Sequence, residues 1–185
     1  MKQTLLVIDA QQELIEGNHE QNPVYKKEQL IMTINKVIDR AQELDVPVTF
    51  VRDLDVAGGT GDGFQVHHEV KVPEHSRFFD KAATNAFHGT GLLDYLKAEQ
   101  ISHLVIMGCE TQYCIDTAVR TATVSGFDVT LVSDGHSTAG NLIISSEEII
   151  QHHNVTLYGF DNVEHFSLVR ESNEDIFSPL HDSYR

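Results

Sequence analysis

The chain has few cysteines and no long apolar run, and each shortage excludes a class of protein. Its 185 residues include two cysteines, four prolines and no tryptophan. Two cysteines, Cys109 and Cys114, cannot supply a disulfide framework for a domain of this size, nor a zinc site of four thiolates. No apolar run approaches the roughly 20 residues needed to cross a bilayer. We therefore expect a cytoplasmic protein with free thiols.

Positive charge is also scarce. Thirteen Lys and Arg residues stand against 28 Asp and Glu residues, which gives a formal net charge of −15. Such a chain is repelled by phosphate groups, so neither nucleic acid nor an anionic membrane is an expected partner. Hydrophobic residues make up 41% of the sequence, enough for one sizeable core. We expect one domain over residues 1–185, acting on a small molecule.

Apolar runs and helical periodicities alternate along the chain. Runs typical of buried strands cover residues 5–8, 46–51, 104–107, 127–132 and 155–157. Helical patterns cover residues 26–44, 92–98, 115–122 and a short stretch from a capping box at Ser145 to His152. This alternation predicts an α/β fold: a three-layer α-β-α, Rossmann-like domain with a mainly parallel sheet of six strands. Residues 162–185 are polar, and we interpret them as a C-terminal tail or an arm onto another subunit.

Three residues are candidates for chemistry. Asp9 directly follows the first apolar run, at the end of a parallel strand where ligands of such sheets bind. With Thr111 as N-cap, Cys114 lies in the first turn of a helix, where free N–H groups favour a thiolate. Lys81 follows two aromatic residues. Each also has a simpler interpretation: a helix-capping carboxylate, a buried structural cysteine and a solvated lysine with a packed stem.

Three sequence segments resemble the isochorismatase-like cysteine hydrolases. They are Leu5-Leu6-Val7-Ile8-Asp9-Ala10-Gln11, Lys81-Ala82-Ala83-Thr84-Asn85-Ala86-Phe87 and Gly108-Cys109-Glu110-Thr111-Gln112-Tyr113-Cys114. The segment 127–134 is similar to the strand and acid that follow in that family. The likeness extends from about residue 5 to residue 160, and its motifs occur in the family's order.

The resemblance implies an Asp-Lys-Cys triad. Asp9 would accept the proton of Cys114, Lys81 would hold both in place, and the sulfur would form a covalent intermediate that water resolves. It also implies a cis peptide bond between Cys109 and Glu110, and an oxyanion hole made of the backbone N–H groups of Glu110 and Cys114. Such a hole suits acyl transfer, because the developing oxyanion needs fixed donors.

The resemblance extends to the substrate pocket and to assembly. Four residues are expected to contact substrate: Gln11, Leu14, Phe87 and Tyr113. Leu14 stands where the family usually has Phe, which changes one wall. The nicotinamidase branch binds a metal through Asp and His after the second strand, but residues 52–55 contain no His. We therefore expect no metal and no cofactor, and, because family members are commonly oligomeric, a homo-oligomer.

The predicted function is hydrolysis of a small amide or related C–N bond, because the nucleophilic cysteine of the motif is present as Cys114. Two alternatives remain open. One is vinyl ether hydrolysis of the isochorismatase type, which need not use the cysteine. The other is a catalytically idle domain that binds a small ligand.

Overall fold

Seven strands form one sheet in the computed structural model, which describes residues 2–185. In chain order the strands are β1 (Lys2–Ile8), β2 (Val48–Asp53), β3 (Arg77–Lys81), β4 (Ile101–Cys109), β5 (Asp128–Ser137), β6 (Asp161–Asn162) and β7 (His165–Arg170). Their order across the sheet is β3-β2-β1-β4-β5-β7-β6. Every neighbouring pair is parallel except β6 and β7. The predicted, mainly parallel α/β sheet is confirmed, with seven strands instead of six.

Within residues 2–185, six α-helices connect the strands. They are α1 (Gln12–Glu16), α2 (Lys27–Glu43), α3 (Gly61–Phe64), α4 (Leu92–Ala98), α5 (Asp116–Val124) and α6 (Ser146–Leu157). A single π-helical turn, Thr111–Ile115, precedes α5. The predicted capping box at the start of α6 is present, because Ser145 Oγ accepts from the N–H of Glu148 and the Glu148 carboxylate accepts from the N–H of Ser145.

The core lies on both faces of the sheet. Leu5 and Val7 of β1 pack into one apolar cluster with α2, whereas Leu6 and Ile8 pack into a second cluster with α4 and α5. All four side chains are fully buried. Because successive side chains of a strand point to opposite faces, a strand covered on both sides must be continuously apolar. Burying each such side chain contributes about 1.5–3 kcal/mol to folding.

The prediction of a strand at residues 155–157 is wrong, because these residues form the last turn of α6. Leu157 is fully buried while Val155 is 78% exposed, so one face of a helix enters the core there. A three-residue apolar run does not distinguish a strand from the end of a helix. The helix that was expected to end at His152 therefore continues to Leu157.

The segment 162–185 does not form a free tail. Its first part contributes β7, which pairs with β5 in the sheet. Further along, Ile176 and Phe177 are buried in the cluster that includes α2. The role of this segment as an arm between subunits stays a prediction. Across residues 2–185, no helix combines the length and hydropathy needed to traverse a bilayer.

Candidate active site

Four charged or nucleophilic side chains meet at the carboxyl edge of the sheet. Asp9 directly follows β1, Asp53 and Lys81 end β2 and β3, and Cys114 lies in the turn after β4. These strands are adjacent and parallel, so their C-terminal ends meet at one edge. The topology thus brings together residues that are more than 100 positions apart.

The Lys81 ammonium group is the centre of this cluster. Its Nζ lies 3.0 Å from Asp9 Oδ2 and 3.4 Å from Cys114 Sγ, and it also donates a hydrogen bond to Asp53 Oδ2. The side chains of Lys81 and Asp9 are almost completely buried. A buried cation is tolerated only when opposite charges compensate for lost hydration, and two carboxylates do so here. The cluster places the predicted Asp, Lys and Cys side chains in mutual contact range.

A glycine permits the close approach of the strands below the cluster. Gly108, near the end of β4, has φ of +125°, and a Cβ atom there would lie 1.9 Å from the carbonyl oxygen of Ile8. Any side chain would therefore push β4 away from β1. Two further backbone features follow at the same edge: Asp9 has φ of +50°, and the peptide bond between Cys109 and Glu110 is cis, as the resemblance implies.

The start of the helical segment differs from the expectation. Glu110, rather than Thr111, occupies the N-cap position, and Thr111 is the first residue of the π-helical turn that carries Cys114. The Thr111 hydroxyl lies 2.9 Å from Nδ1 of the buried His136, whose Nε2 lies 2.9 Å from Asn154 Oδ1 on α6. Burial lowers the pKa of His136 to about 4. A neutral polar chain thus anchors the turn to β5 and α6.

Burial shifts the pKa values of the acid and the thiol upwards. It raises the pKa of Asp9 to about 6, although the Lys81 charge acts in the opposite direction. Burial together with the Asp9 charge raises the pKa of Cys114 to about 12. Burial and the neighbouring carboxylate thus act against the thiolate that the sequence predicts at this turn. At neutral pH the pair is a neutral thiol and an ionised Asp9.

A cavity of about 310 Å³ opens above the sulfur. Asp9 and Cys114 lie at its base, while Leu14, Val56 and Tyr113 provide its less polar walls. This volume matches the lower end of small-molecule sites.

Two of the four expected substrate contacts line this cavity, Leu14 and Tyr113, and two do not. Gln11 is fully buried, and its amide bonds both the N–H and the C=O of Asp53, at 2.7 and 3.0 Å. It positions β2 instead of facing substrate. Phe87 packs against the second apolar cluster, with its ring 6.5 Å from that of Phe127. Glu110 lines the cavity, and its carboxylate accepts from the N–H of Ala139 at 2.8 Å.

Asp53 is a residue of the cluster that the sequence reasoning did not include among the site residues. A signal existed: like Asp9, it is an acid at the end of an apolar strand. The residue pattern did not predict the strand that carries Lys81, and the resemblance paired this lysine with Asp9 alone. Asp53 was therefore not expected as a second acidic partner.

Three side chains of the cluster are also spaced closely enough to bind one metal ion. Ligand atoms of Asp9, Asp53 and Cys114 lie within 4.8 Å of one another. However, Lys81 Nζ contacts all three residues and occupies the place that a cation would take. The ammonium ion and a metal ion would compete for the same ligands, so this set does not fit a resident metal.

Comparisons with known proteins agree with this geometry. The family model described as "Isochorismatase domain" matches residues 3–142. A crystal structure of an isochorismatase family protein superposes with a TM-score of 0.80 and 27% identity, covering 90% of this chain and 96% of that chain. The N-carbamoylsarcosine amidase of Thermoplasma acidophilum superposes with a TM-score of 0.73 and 22% identity, covering 94% and 98% of the two chains.

A curated relative adds a local match. The nicotinamidase of Escherichia coli (strain K12) is 34% identical over 64 residues, which are 35% of this chain and 29% of the relative. The fold and the family model together define a hydrolase of the isochorismatase type. The chain belongs to the isochorismatase family and is a hydrolase.

Proposed function

We propose that this protein hydrolyses a C–N bond of a small amide through a thioester on Cys114. The observation that carries the proposal is the contact of one buried ammonium, Lys81, with both the sulfur and the Asp9 carboxylate. Cysteine hydrolysis needs a nucleophile, a base within reach and a charge that fixes both. The two amidases among the similar proteins support amides as the substrate class.

The first half-reaction forms the thioester. Asp9 accepts the thiol proton as Sγ attacks the carbonyl carbon, which gives a tetrahedral oxyanion. One oxygen of Asp9, Oδ1, is buried and lacks a hydrogen-bond partner among the described residues, so it is available for that proton. Protonated Asp9 then returns the proton to the leaving nitrogen, the C–N bond breaks and the amine departs. Because Asp9 has a pKa of about 6, it can serve as base and as acid near neutral pH.

The second half-reaction releases the acid. Water enters the cavity, Asp9 removes one of its protons, and the resulting hydroxide adds to the thioester carbon. The C–S bond breaks and the thiol regains its proton. In both steps the oxyanion would be held by the backbone N–H groups of Glu110 and Cys114, at the start of the π-helical turn.

Lys81 acts in this scheme as a fixed countercharge. During attack the negative charge passes from Asp9 to sulfur and then to the oxyanion, and the ammonium stays within 3.0–3.4 Å of the first two positions. The pKa of Lys81 stays above its ordinary value: burial opposes its charge, but Asp9, Cys114 and Asp53 more than compensate. It therefore remains protonated throughout.

The test is a screen of small primary amides with detection of released ammonia and of an acyl adduct on the protein. We expect an acid-quenched sample to carry the acyl group on Cys114, and Cys114→Ala to lose turnover. Cys109→Ala is the matched control, because that thiol is buried and lies outside the cavity. Turnover that survives in Cys114→Ala would indicate ether-type chemistry instead, and a wild-type protein without turnover or adduct would support an idle ligand-binding domain.

A further inference from the structure

The cavity above Cys114 has a one-sided charge. Five of the twelve residues that line it are acidic, and none is Lys, Arg or His. Lys81 lies beneath the cavity, where Asp9 and Asp53 already compensate for its charge. The nearby Arg52 is also engaged, because its guanidinium group bonds both carboxylate oxygens of Asp80. The space that a substrate enters is therefore negative.

The acidic residues at the mouth of the cavity differ in how many hydrogen bonds their carboxylates accept. Glu110 accepts hydrogen bonds from Gln21, Thr138 and the N–H of Ala139, which disperse its charge. Asp55 is exposed, and no side-chain bond to its carboxylate is found within residues 2–185.

Glu13 is half-buried and receives one hydrogen bond, from Asn18, at 3.0 Å to Oε1. Asp55 and Glu13 therefore present the available negative charge to a ligand.

A second feature lies at the base. Asp9 is 1% exposed and lines the cavity, with its Oδ1 atom unpartnered among the described side chains. An anionic substrate would have to pass Glu13 and Asp55 and then approach this carboxylate, and like charges repel strongly where water is partly excluded. A carboxylate-bearing substrate normally requires an Arg or Lys in the pocket wall, which this cavity lacks.

We propose that the cavity selects amides that carry a positive charge, an ammonium or guanidinium group, and that Glu13 and Asp55 are the residues that recognise it. This inference rests on the proposed function, since it concerns the substrate of that site.

The charge of the cavity can be measured without turnover. Three methanethiosulfonates are compared: one cationic (trimethylammonium-ethyl), one anionic (sulfonatoethyl) of similar size, and one smaller and neutral (methyl). The Cys114 thiolate attacks the thiosulfonate sulfur, a mixed disulfide forms with the alkylthio group, and methanesulfinate leaves. Each rate is divided by the rate for 2-mercaptoethanol, and peptide mass spectrometry assigns the label to Cys114. At low salt we expect the normalised cationic rate to exceed the anionic rate at least tenfold. Sodium chloride should reduce this ratio.

Variants assign the effect to residues. Glu13→Gln and Asp55→Asn should each lower the cationic-to-anionic ratio by about three- to fivefold, the effect of a partly exposed charge pair. Ratios cancel any change in the pKa of Cys114. Glu43→Gln, on the exposed end of α2, is the matched control and should leave the ratio unchanged. A normalised cationic-to-anionic ratio near one in the wild-type protein would overturn the proposal. So would a ratio that neither Glu13→Gln nor Asp55→Asn changes.

Turnover measurements test charge selection and amide hydrolysis separately. Matched primary amides with an ammonium, a methyl or a carboxylate terminus are compared by kcat/KM, and we expect the ammonium compound to be the best substrate. Equal hydrolysis of all three would refute charge selection and leave the amidase proposal standing. Charge-selective labelling without any amide hydrolysis would refute the amidase proposal alone.

Discussion

Lys81 is the residue on which the site depends most. Its ammonium contacts two carboxylates and a sulfur, and its side chain is fully buried. Removing one member of a buried ionic cluster costs more than the cluster contributes, because the remaining charges are left without compensation. The lysine therefore contributes to folding as well as to the proposed chemistry.

Replacing Lys81 by Met should abolish amide turnover and lower the free energy of unfolding by about 3–5 kcal/mol, because Asp9 and Asp53 are left facing each other. Urea denaturation measures the loss. The double variant Lys81→Met with Asp53→Asn should recover much of the stability and none of the turnover. Equal instability in the single and double variants would contradict this interpretation of the cluster.

The pH profile should report the state of Asp9. Its pKa is about 6, so below that pH the carboxyl is protonated and cannot accept the thiol proton. We expect kcat/KM to rise with pH and to level off above an apparent pKa near 6, as measured with an uncharged amide. An acid limb at pH 4, typical of an unperturbed carboxyl, would argue against Asp9 as the base.

For single residues, the sequence predicted the members of the central cluster better than the residues that surround the cluster. Position beside an apolar run or a helix start made Asp9 and Cys114 candidates, and the resemblance joined them with Lys81 in a triad. The fold brings the three side chains together. Gln11 was assigned to substrate on the resemblance, because it belongs to the family-like segment that carries Asp9. Its amide instead satisfies the backbone of Asp53, a long-range contact that no local pattern indicates.

Among the elements, the C-terminal end of β4 has the most demanding backbone. Gly108 combines a positive φ with a Cβ position that would overlap the carbonyl of Ile8. The contact joins the two central strands, β1 and β4, directly below the candidate nucleophile. Close approach and unusual φ are separate physical costs, and they can be measured separately.

Gly108→Ala should destabilise the protein by more than about 3 kcal/mol, whereas Gly89→Ala should cost only about 1–2 kcal/mol. Gly89 also has a positive φ, of +69°, but nothing lies within 4 Å of its Cβ position. The difference between the two variants in chemical denaturation isolates the clash. Equal losses would show that the strands separate without cost.

Elements with strongly buried patterns were predicted, and those with mixed patterns were not. The helix α2 (Lys27–Glu43) agrees with the expected range because its apolar residues recur at helical spacing. The edge strand β3 was missed because only its last residue, Lys81, is buried. The strand β7 was missed because two buried residues, Ser167 and Leu168, lie between half-buried ones. Edge and outer strands lack the double-sided burial that makes a central strand recognisable.

For the molecule as a whole, buried histidines govern stability in acid. Burial lowers the pKa of His103 to about 3 and that of His136 to about 4. The folded protein keeps both neutral, whereas the unfolded chain binds protons below about pH 6.5, so stability falls as the pH falls. Asp9 acts in the opposite direction, because its raised pKa makes the folded form bind a proton first, between pH 6 and 3.8.

The two histidines outweigh the single carboxyl. Between pH 7.5 and 5 we expect the free energy of unfolding to fall by about 2–3 kcal/mol, at ~1.4 kcal/mol per pH unit for each group. Urea titrations at the two pH values test this. His103→Gln should shrink the difference, and a stability that rises on acidification would show that Asp9 dominates.

The C-terminal segment belongs to the core. Ile176 is fully buried against the cluster that contains α2, while Leu180, four residues on, is 45% exposed. Ile176→Ala should therefore cost about 2–5 kcal/mol, and Leu180→Ala less than about 1 kcal/mol. Comparable small effects in thermal and urea unfolding would mean that the segment is only loosely attached, as the sequence pattern suggested.

The outermost strands carry a consequence for solution behaviour. On one side the sheet ends in β6, a two-residue antiparallel strand, which is too short to template the addition of a foreign strand. On the other side β3 exposes Arg77 and Asp80, charges that disfavour edge-to-edge pairing. Because neither edge strand favours pairing with another chain, the sheet resists fibril growth. Concentrated samples should therefore remain free of amyloid-type aggregates.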